Sequence, residues 1–343
     1  MTELQQHRIQ ISTVIPTCNR KPALLTLLKS LDRSLFPLSE VIIVDSGEDR
    51  LVPAEYNIFK NLNIRYLGAE KSVCIQRNLG IREARSPWIF LCDDDVEMPP
   101  DYLQHLVSHV ARHEEAGAVS GLFMQKDDGG WSAKYPERSA RSLFLKFIFQ
   151  LGLWGGIDCP DKNILIKKIK KHYLRKGNHL SKAGWPVIVD ITGDHFTTPT
   201  YTLGASLVKR DWLIASPYDE VLDRHGIGDN YGVILGFPTP SVRVLNNAYV
   251  YHHQEPANRL QRPYQYFRRV LAIDYFIRAK PKPLHRKKGW ILWSLAGNML
   301  AFIRARDWRM VRSSFKAIWL IALDRNPYAL AAKAKKKVTE PLP

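Results

Sequence analysis

Two short apolar runs that end in carboxylates constrain the fold of this 343-residue chain more than any other feature. Glu40–Asp45 reads EVIIVD, and Trp88–Cys92 (WIFLC) leads directly into Asp93, Asp94 and Asp95. Apolar runs of this length, without polar alternation, suit strands covered on both faces, and hence a mainly parallel sheet flanked by helices. The surrounding pattern agrees. Residues 8–16 and 64–67 read as further strands, and 23–31, 73–85 and 100–114 as helices between them. Pro22 suits the first turn of the first helix. Strands alternating with helices give an α/β fold. In such folds ligands gather beyond the carboxyl ends of the strands. Residues 16–20, 45–47 and 93–95 all fall at such ends, so three polar clusters distant in sequence are expected on one rim.

Three adjacent carboxylates repel one another. A helix N-cap uses one or two aspartates. A third, just after a buried strand and with no base beside it, needs a cation. Mg²⁺ and Mn²⁺ take oxygen ligands and are commonly held by one or two carboxylates together with substrate phosphates.

Four motifs occur in order: PTCNR (16–20), VDSG (44–47), QRNLGI (76–81) and LCDDDVEMPPDYL (91–103). Together they resemble the family 2 glycosyltransferases of the GT-A fold. The resemblance spans residues 9–253; it is strong up to 125 and weak over 126–195. It implies a GT-A, Rossmann-like mixed sheet with helices on both faces. It also implies that Thr17, Asn19 and Arg20 lie against a nucleotide, and that Asp45 accepts from a uracil-type base. Arg77 and Asn78 match the motif beside the diphosphate, Asp93 matches the first carboxylate of the DxD motif, on the ribose or sugar, and Asp94 between the motif's ends counts with the nucleotide-sugar-binding residues. Asp95 matches the ligand of the metal, Mn²⁺ or Mg²⁺. Gly204 and Ala205 (in YTLGASLVK) match a small-residue segment beside the donor sugar, and Asp219 and Glu220 an acidic pair on the acceptor side.

The family's next motif departs here. Gly226-Ile227-Gly228-Asp229-Asn230 aligns Asp229 with the catalytic base and Gly228 with the acidic residue before it. A frame shifted by one would put Asn230 in the base position, and an amide takes no proton. After the last strand, residues 242–251, come His252 and His253. In metal-dependent relatives a histidine here completes the metal shell; adjacent histidines point in different directions, and His253 is preferred. The implied reaction is a metal-dependent, inverting transfer from a UDP- or dTDP-type donor to a hydroxyl of a glycan or lipid-linked acceptor, with Asp229 as general base.

Charge divides the chain. From residue 255 onward there are 20 Lys+Arg and 5 Asp+Glu, which is +15 of the net +17. The expected organisation is a glycosyltransferase domain over 1–255 with a variable insertion at 126–195, a basic amphipathic helical appendage over 256–330, and a disordered basic tail over 331–343. Residues 289–303 form an apolar stretch of 15, bracketed by Arg286, Lys287, Lys288, Arg304 and Arg306. As a helix it spans about 22 Å, short of the roughly 30 Å hydrocarbon core. The next segment places Trp308, Val311, Phe315 and Ile318 beside Arg309, Arg312 and Lys316. These patterns suit interfacial helices lying on an anionic membrane surface, with 142–157 as a second contact or a lid. The four cysteines have no metal or redox spacing and read as reduced thiols, and the N-terminus lacks a secretory h-region. The expected location is cytoplasmic, peripheral on the inner face of the cytoplasmic membrane.

Two other readings compete. A sugar nucleotidyltransferase would want a glycine-rich phosphate loop after the first strand, but PTCNRKPALL contains no glycine. A catalytically inactive scaffold binding anionic membrane or nucleic acid fits the charge and the altered motif. Nucleic-acid binding, however, calls for basic and aromatic residues interleaved along one groove. Here apolar blocks accompany the charge, so no nucleic-acid partner is expected.

Overall fold

The computed structural model describes residues 9–127, 130–133, 135–254, 259–279 and 288–338. Strands β1 (Ile11–Thr17), β2 (Glu40–Asp45), β3 (Ile64–Gly68) and β4 (Trp88–Cys92) alternate with helices α1 (Lys21–Asp32), α2 (Pro53–Tyr56) and α3 (Val73–Glu83). Then come β5 (Val96–Glu97), α4 (Tyr102–Arg112), β6 (Ala118–Asp127) and β7 (Gly130–Ser132). The weakly patterned middle forms α5 (Ala140–Phe149), β8 (Leu153–Trp154), α6 (Ile164–Lys176), β9 (His179–Leu180) and β10 (Pro186–Ile188). It is followed by β11 (His195–Thr198), β12 (Ala205–Lys209), α7 (Arg210–Ala215), α8 (Asp229–Leu235) and β13 (Val242–His252). Helices α9 (Arg262–Ala279), α10 (Lys288–Arg304), α11 (Trp308–Ala322) and α12 (Pro327–Lys333) close the chain.

The main sheet runs β11-β13-β6-β12-β4-β1-β2-β3. β1 pairs parallel with β2 and β4, and β2 with β3. β12 is antiparallel to both its neighbours, while β13 runs parallel to β6. The strand order therefore reverses between β1 and β4, which is where an α/β sheet opens a ligand crevice. Side chains along each strand alternate between two apolar layers. Val14, Ile42 and Leu91 enter one, and Ile15, Ile43 and Phe90 the other. Burial on both faces is why these strands read as continuous apolar runs.

Helix α3 lies tight on β1, because a Cβ at Gly80 would overlap Val14 Cγ1. From the same helix the Gln76 amide donates to Thr17 O at 2.6 Å and Val44 O at 2.7 Å, tying together the ends of β1 and β2. The expected insertion carries a small sheet, β8-β10-β9, with its own apolar centre around Leu143, Ile169, Tyr173 and Val187. Its helix α5 packs on α10: Trp293 Nε1 donates to Ile148 O at 2.9 Å, and the Phe149 and Trp293 rings lie 4.8 Å apart.

The four C-terminal helices pack into the core of the sheet. Phe267, Leu271 and Phe276 of α9, Leu295 of α10, Ile321 of α11 and Tyr328 of α12 all enter the same core as β1 and β4. Arg268 pairs with Asp223 at 2.9 Å, and Tyr328 Oη donates to the other Asp223 oxygen at 2.7 Å; all three side chains are buried. The stretch from 331 also departs from the disorder expected of its lysines. Helix α12 continues to Lys333, and Val338 N–H donates to Val221 O at 3.2 Å. The expected boundary at 255/256, the flanking Arg286 and Lys287, residues 1–8 and residues 339–343 lie outside the described residues.

Candidate active site

A cleft of about 400 Å³ opens at the crevice between β1 and β4. Thr17 and Arg20 from the end of β1, Arg77 from α3, Asp93, Asp94 and Asp95 after β4, Asp229 at the start of α8, and His252 at the end of β13 all line it. The three clusters expected on one rim thus converge, joined by a base candidate more than 130 residues further along the chain.

The carboxylates are separated by cations. Arg20 pairs with Asp94 at 2.9 Å and approaches Asp95 at 3.6 Å. Thr17 Oγ1 donates to the other Asp94 oxygen at 2.7 Å. Burial nonetheless raises Asp94 to about 6, against the opposing charge of Arg20. Arg77 is buried, lies 5.0 Å over the Tyr218 ring, and bridges Asp93 at 2.5 Å to Asp229. Burial raises Asp229 to about 6, with Arg77 and the Asn230 N–H opposing. Asp229 is the residue on Arg77, and Asn230 Oδ1 accepts from Tyr218 Oη at 3.3 Å.

Asp95 meets His252 Nε2 at 3.3 Å and Arg259 at 3.3 Å. Burial pushes the Asp95 pKa up, but His252, Arg20 and Arg259 together outweigh it and hold the carboxyl below its ordinary value. The ring of His253, the histidine preferred from sequence, faces Glu97 at 2.9 Å and does not line the cleft, whereas His252 does. Residues that alternate along a strand end face opposite sides, and His252, the last residue of β13, is the one turned inward. One carboxylate and one imidazole suit Mn²⁺ or Mg²⁺. Among the described residues no group of three or more His, Cys, Asp or Glu is arranged to hold a cation alone.

Several of the residues expected to contact ligands carry hydrogen bonds or close packing within the chain. Asp45 is buried at the end of β2, with Tyr66 Oη on one oxygen and Gly47 N–H on the other at 2.6 Å. Asn19, at φ 53°, accepts from Glu48 N–H at 2.7 Å and so holds the 45–49 loop. Asn78 is turned away from the cleft. Its amide donates to Tyr218 O at 2.8 Å and to Glu220 at 3.0 Å. Asp219 accepts from Tyr275 Oη at 2.8 Å. Neither member of the acidic pair lines the cleft, because both brace the 218–222 loop against α3 and α9. Ala205 is fully buried between β4 and β6, and its carbonyl accepts from Tyr102 Oη at 2.6 Å. A Cβ at Gly204 would overlap Asp93 Oδ2, so the small residue makes room for that carboxylate.

Sequence reasoning missed Gln76, Arg259 and the cleft residues Lys71, Arg224, His225 and Arg269. The neighbouring RNLG motif pointed near Gln76. The basic quarter contained Arg259 and Arg269, but no pattern set them apart from its other cations.

The model of the glycosyl transferase family 2 matches residues 12–174. The match takes in just under half of the chain and marks it as similar to that family. Among relatives, the uncharacterized glycosyltransferase YwdF of Bacillus subtilis (strain 168) is 25% identical over 277 residues, 74% of this chain and all of YwdF. An uncharacterized glycosyltransferase of Haemophilus influenzae is 32% identical over 90 residues, 26% of this chain and 31% of that protein. S. aureus TarS 1–349 superposes with a TM-score of 0.52 at 12% identity, covering 96% of this chain and 92% of TarS. Its complex with UDP-GlcNAc gives 0.51 at the same identity, covering 96% and 93%. The chain thus has the GT-A fold.

Proposed function

We propose that this glycosyltransferase moves a sugar from a nucleotide-diphosphate donor, of UDP or dTDP type, to an acceptor hydroxyl with inversion at the anomeric carbon. The observation that carries the reading is the shared contact of Arg77 with Asp93 and Asp229, which sets a donor-side carboxylate and a base candidate on one guanidinium. Asp229 takes the hydroxyl proton as the oxygen attacks, and the bond to the diphosphate breaks. One carboxylate suffices for a single inverting displacement. Arg77 and Arg20 supply fixed positive charge where the leaving diphosphate gains charge. Asp95 and His252 would hold Mn²⁺ or Mg²⁺, which when bound offsets the diphosphate's charge. TarS, of the same fold, is seen with UDP-GlcNAc, which supports a nucleotide-sugar donor.

The acceptor, on this reading, is a glycan or lipid-linked glycan at the cytoplasmic face of an anionic membrane. Trp293, Leu300, Trp308, Phe315 and Trp319 are exposed on α10 and α11, with Arg304, Arg309 and Arg312 among them. Exposed aromatics set among arginines suit a lipid headgroup layer. No described helix is long and apolar enough to cross a membrane.

The test is titration of UDP, dTDP, GDP and CMP into wild type and Asp95→Ala, with and without Mn²⁺. Metal-dependent binding of one nucleotide, lost in Asp95→Ala, is expected. Asp229→Asn should keep that binding and lower transfer by roughly 10²–10⁴-fold. Absence of binding by all four nucleotides would overturn the reading.

A further inference from the structure

The cleft carries more positive charge than its carboxylates neutralise. Arg20, Arg77 and Arg259 are all paired with the four aspartates, Arg20 and Arg77 with two each. Lys71, Arg224 and Arg269 line the same cleft, and among the described residues none of the three has an Asp or Glu as ion-pair partner. They come from separate elements brought together by the fold. Lys71 lies two residues before α3, whose Val73 N–H donates to Arg224 O at 3.1 Å, so the backbone near Lys71 runs beside that of Arg224. Arg269 lies one turn before Ala272 on α9. A Cβ on Gly228, next to Asp229, would stand 2.8 Å from the Ala272 Cβ. A Cβ on Gly226 would overlap Val73 Cγ1 and stand 3.3 Å from Asp229 Oδ2, so the segments that carry the three cations pack beside Asp229 in the cleft they all line. The field of two of them is felt at His225, which burial, and then Arg268, Arg224 and Lys71, push down to about 4 despite the opposing Asp223.

Donor phosphates already have Arg20, Arg77 and Arg259 on the Asp93–Asp95 side. The surplus lies on the side of the base, where the acceptor hydroxyl must stand. Guanidinium groups match phosphate oxygens in a two-pronged geometry that neutral sugars do not offer. Resting on the glycosyltransferase reading above, we infer that Lys71, Arg224 and Arg269 form an acceptor subsite for a phosphate group, so that the hydroxyl glycosylated belongs to a phosphate-bearing acceptor.

The experiment titrates sn-glycerol 3-phosphate, dodecyl phosphate and uncharged glycerol into full-length protein saturated with Mn²⁺ and the nucleotide that binds best. The variants are Arg224→Gln/Arg269→Gln and, separately, Lys71→Gln. Binding of a phosphate probe but not glycerol is expected. The double variant should weaken it roughly tenfold or more, with nucleotide affinity unchanged, which also shows that the variant is folded. Tighter binding of dodecyl phosphate would mark a lipid phosphate, and tighter binding of glycerol 3-phosphate a phosphodiester glycan; either supports the subsite. Failure of both phosphate probes to bind would overturn it. So would a parallel loss of nucleotide affinity, which would assign the arginines to the donor. If no nucleotide binds at all, the glycosyltransferase reading fails on its own, and the same probes titrated into the empty cleft still judge the cations.

Discussion

At the scale of single residues, the site is a set of buried carboxylates kept apart by arginines. Burial disfavours the charged form, so Asp229 titrates near 6 in the ligand-free protein, well above an ordinary aspartate. A base works only when ionised. The value of kcat/KM, which reports the free enzyme, should therefore fall about tenfold per pH unit below an apparent pKa near 6. A pH–rate profile flat down to pH 4.5 would remove Asp229 from that role. Gly204 offers a second test. Its missing side chain leaves space for the Asp93 carboxylate, which Arg77 holds from the other side. Gly204→Ala should displace Asp93, weaken donor binding by about tenfold, and leave the melting temperature nearly unchanged, since only a side-chain end has to move. Calorimetric titration beside a thermal melt separates the two effects.

At the scale of elements, helices α10 and α11 show why a hydrophobic pattern alone does not say what a helix touches. Ile291, Leu295, Met310, Ala317 and Ile321 face the core, while Trp308, Phe315 and Trp319 on the far side of α11 face outward. Both sets are apolar, and in sequence they are indistinguishable. Burying an aromatic side chain in a membrane interface is worth a few kcal/mol at most, and the arginines add attraction to anionic lipid. The protein should cosediment with vesicles containing phosphatidylglycerol but not with pure phosphatidylcholine, and should release in about 0.5 M salt. Replacing Trp308, Phe315 and Trp319 together by serine should lower binding at least about tenfold while leaving nucleotide affinity intact. Equal binding by the triple variant would mean that this face has another use.

At the scale of the whole molecule, the C-terminal quarter is part of the catalytic body. Arg268 and Asp223 are 1% and 2% exposed, and each is the other's charge partner. Removing one member of a buried pair leaves an uncompensated charge and costs about 3–5 kcal/mol. A chain ending at residue 254 would lose Arg268, Tyr328 and the apolar faces of four helices at once. It should be recovered aggregated or without near-ultraviolet circular dichroism. A monomeric, cooperatively melting product of that length would show that the first 254 residues fold alone.

The sequence by itself determined the sheet and its rim. Strands buried on both faces must be apolar throughout, and carboxylates at their ends must gather where the strand order reverses, so Thr17, Arg20, Asp93–Asp95 and the helix carrying Arg77 were readable from local pattern. What the tertiary structure decided is which side chains face the cleft once they arrive. His252 turns inward and His253 outward because neighbours on a strand point to opposite sides. Asp219, Glu220 and Asn78 are drawn into bracing hydrogen bonds by partners up to 142 residues away. Arg77 reaches Asp229 across 152 positions. Such pairings depend on how α3, α8 and α9 pack on one sheet, and no periodicity within a single segment records that packing.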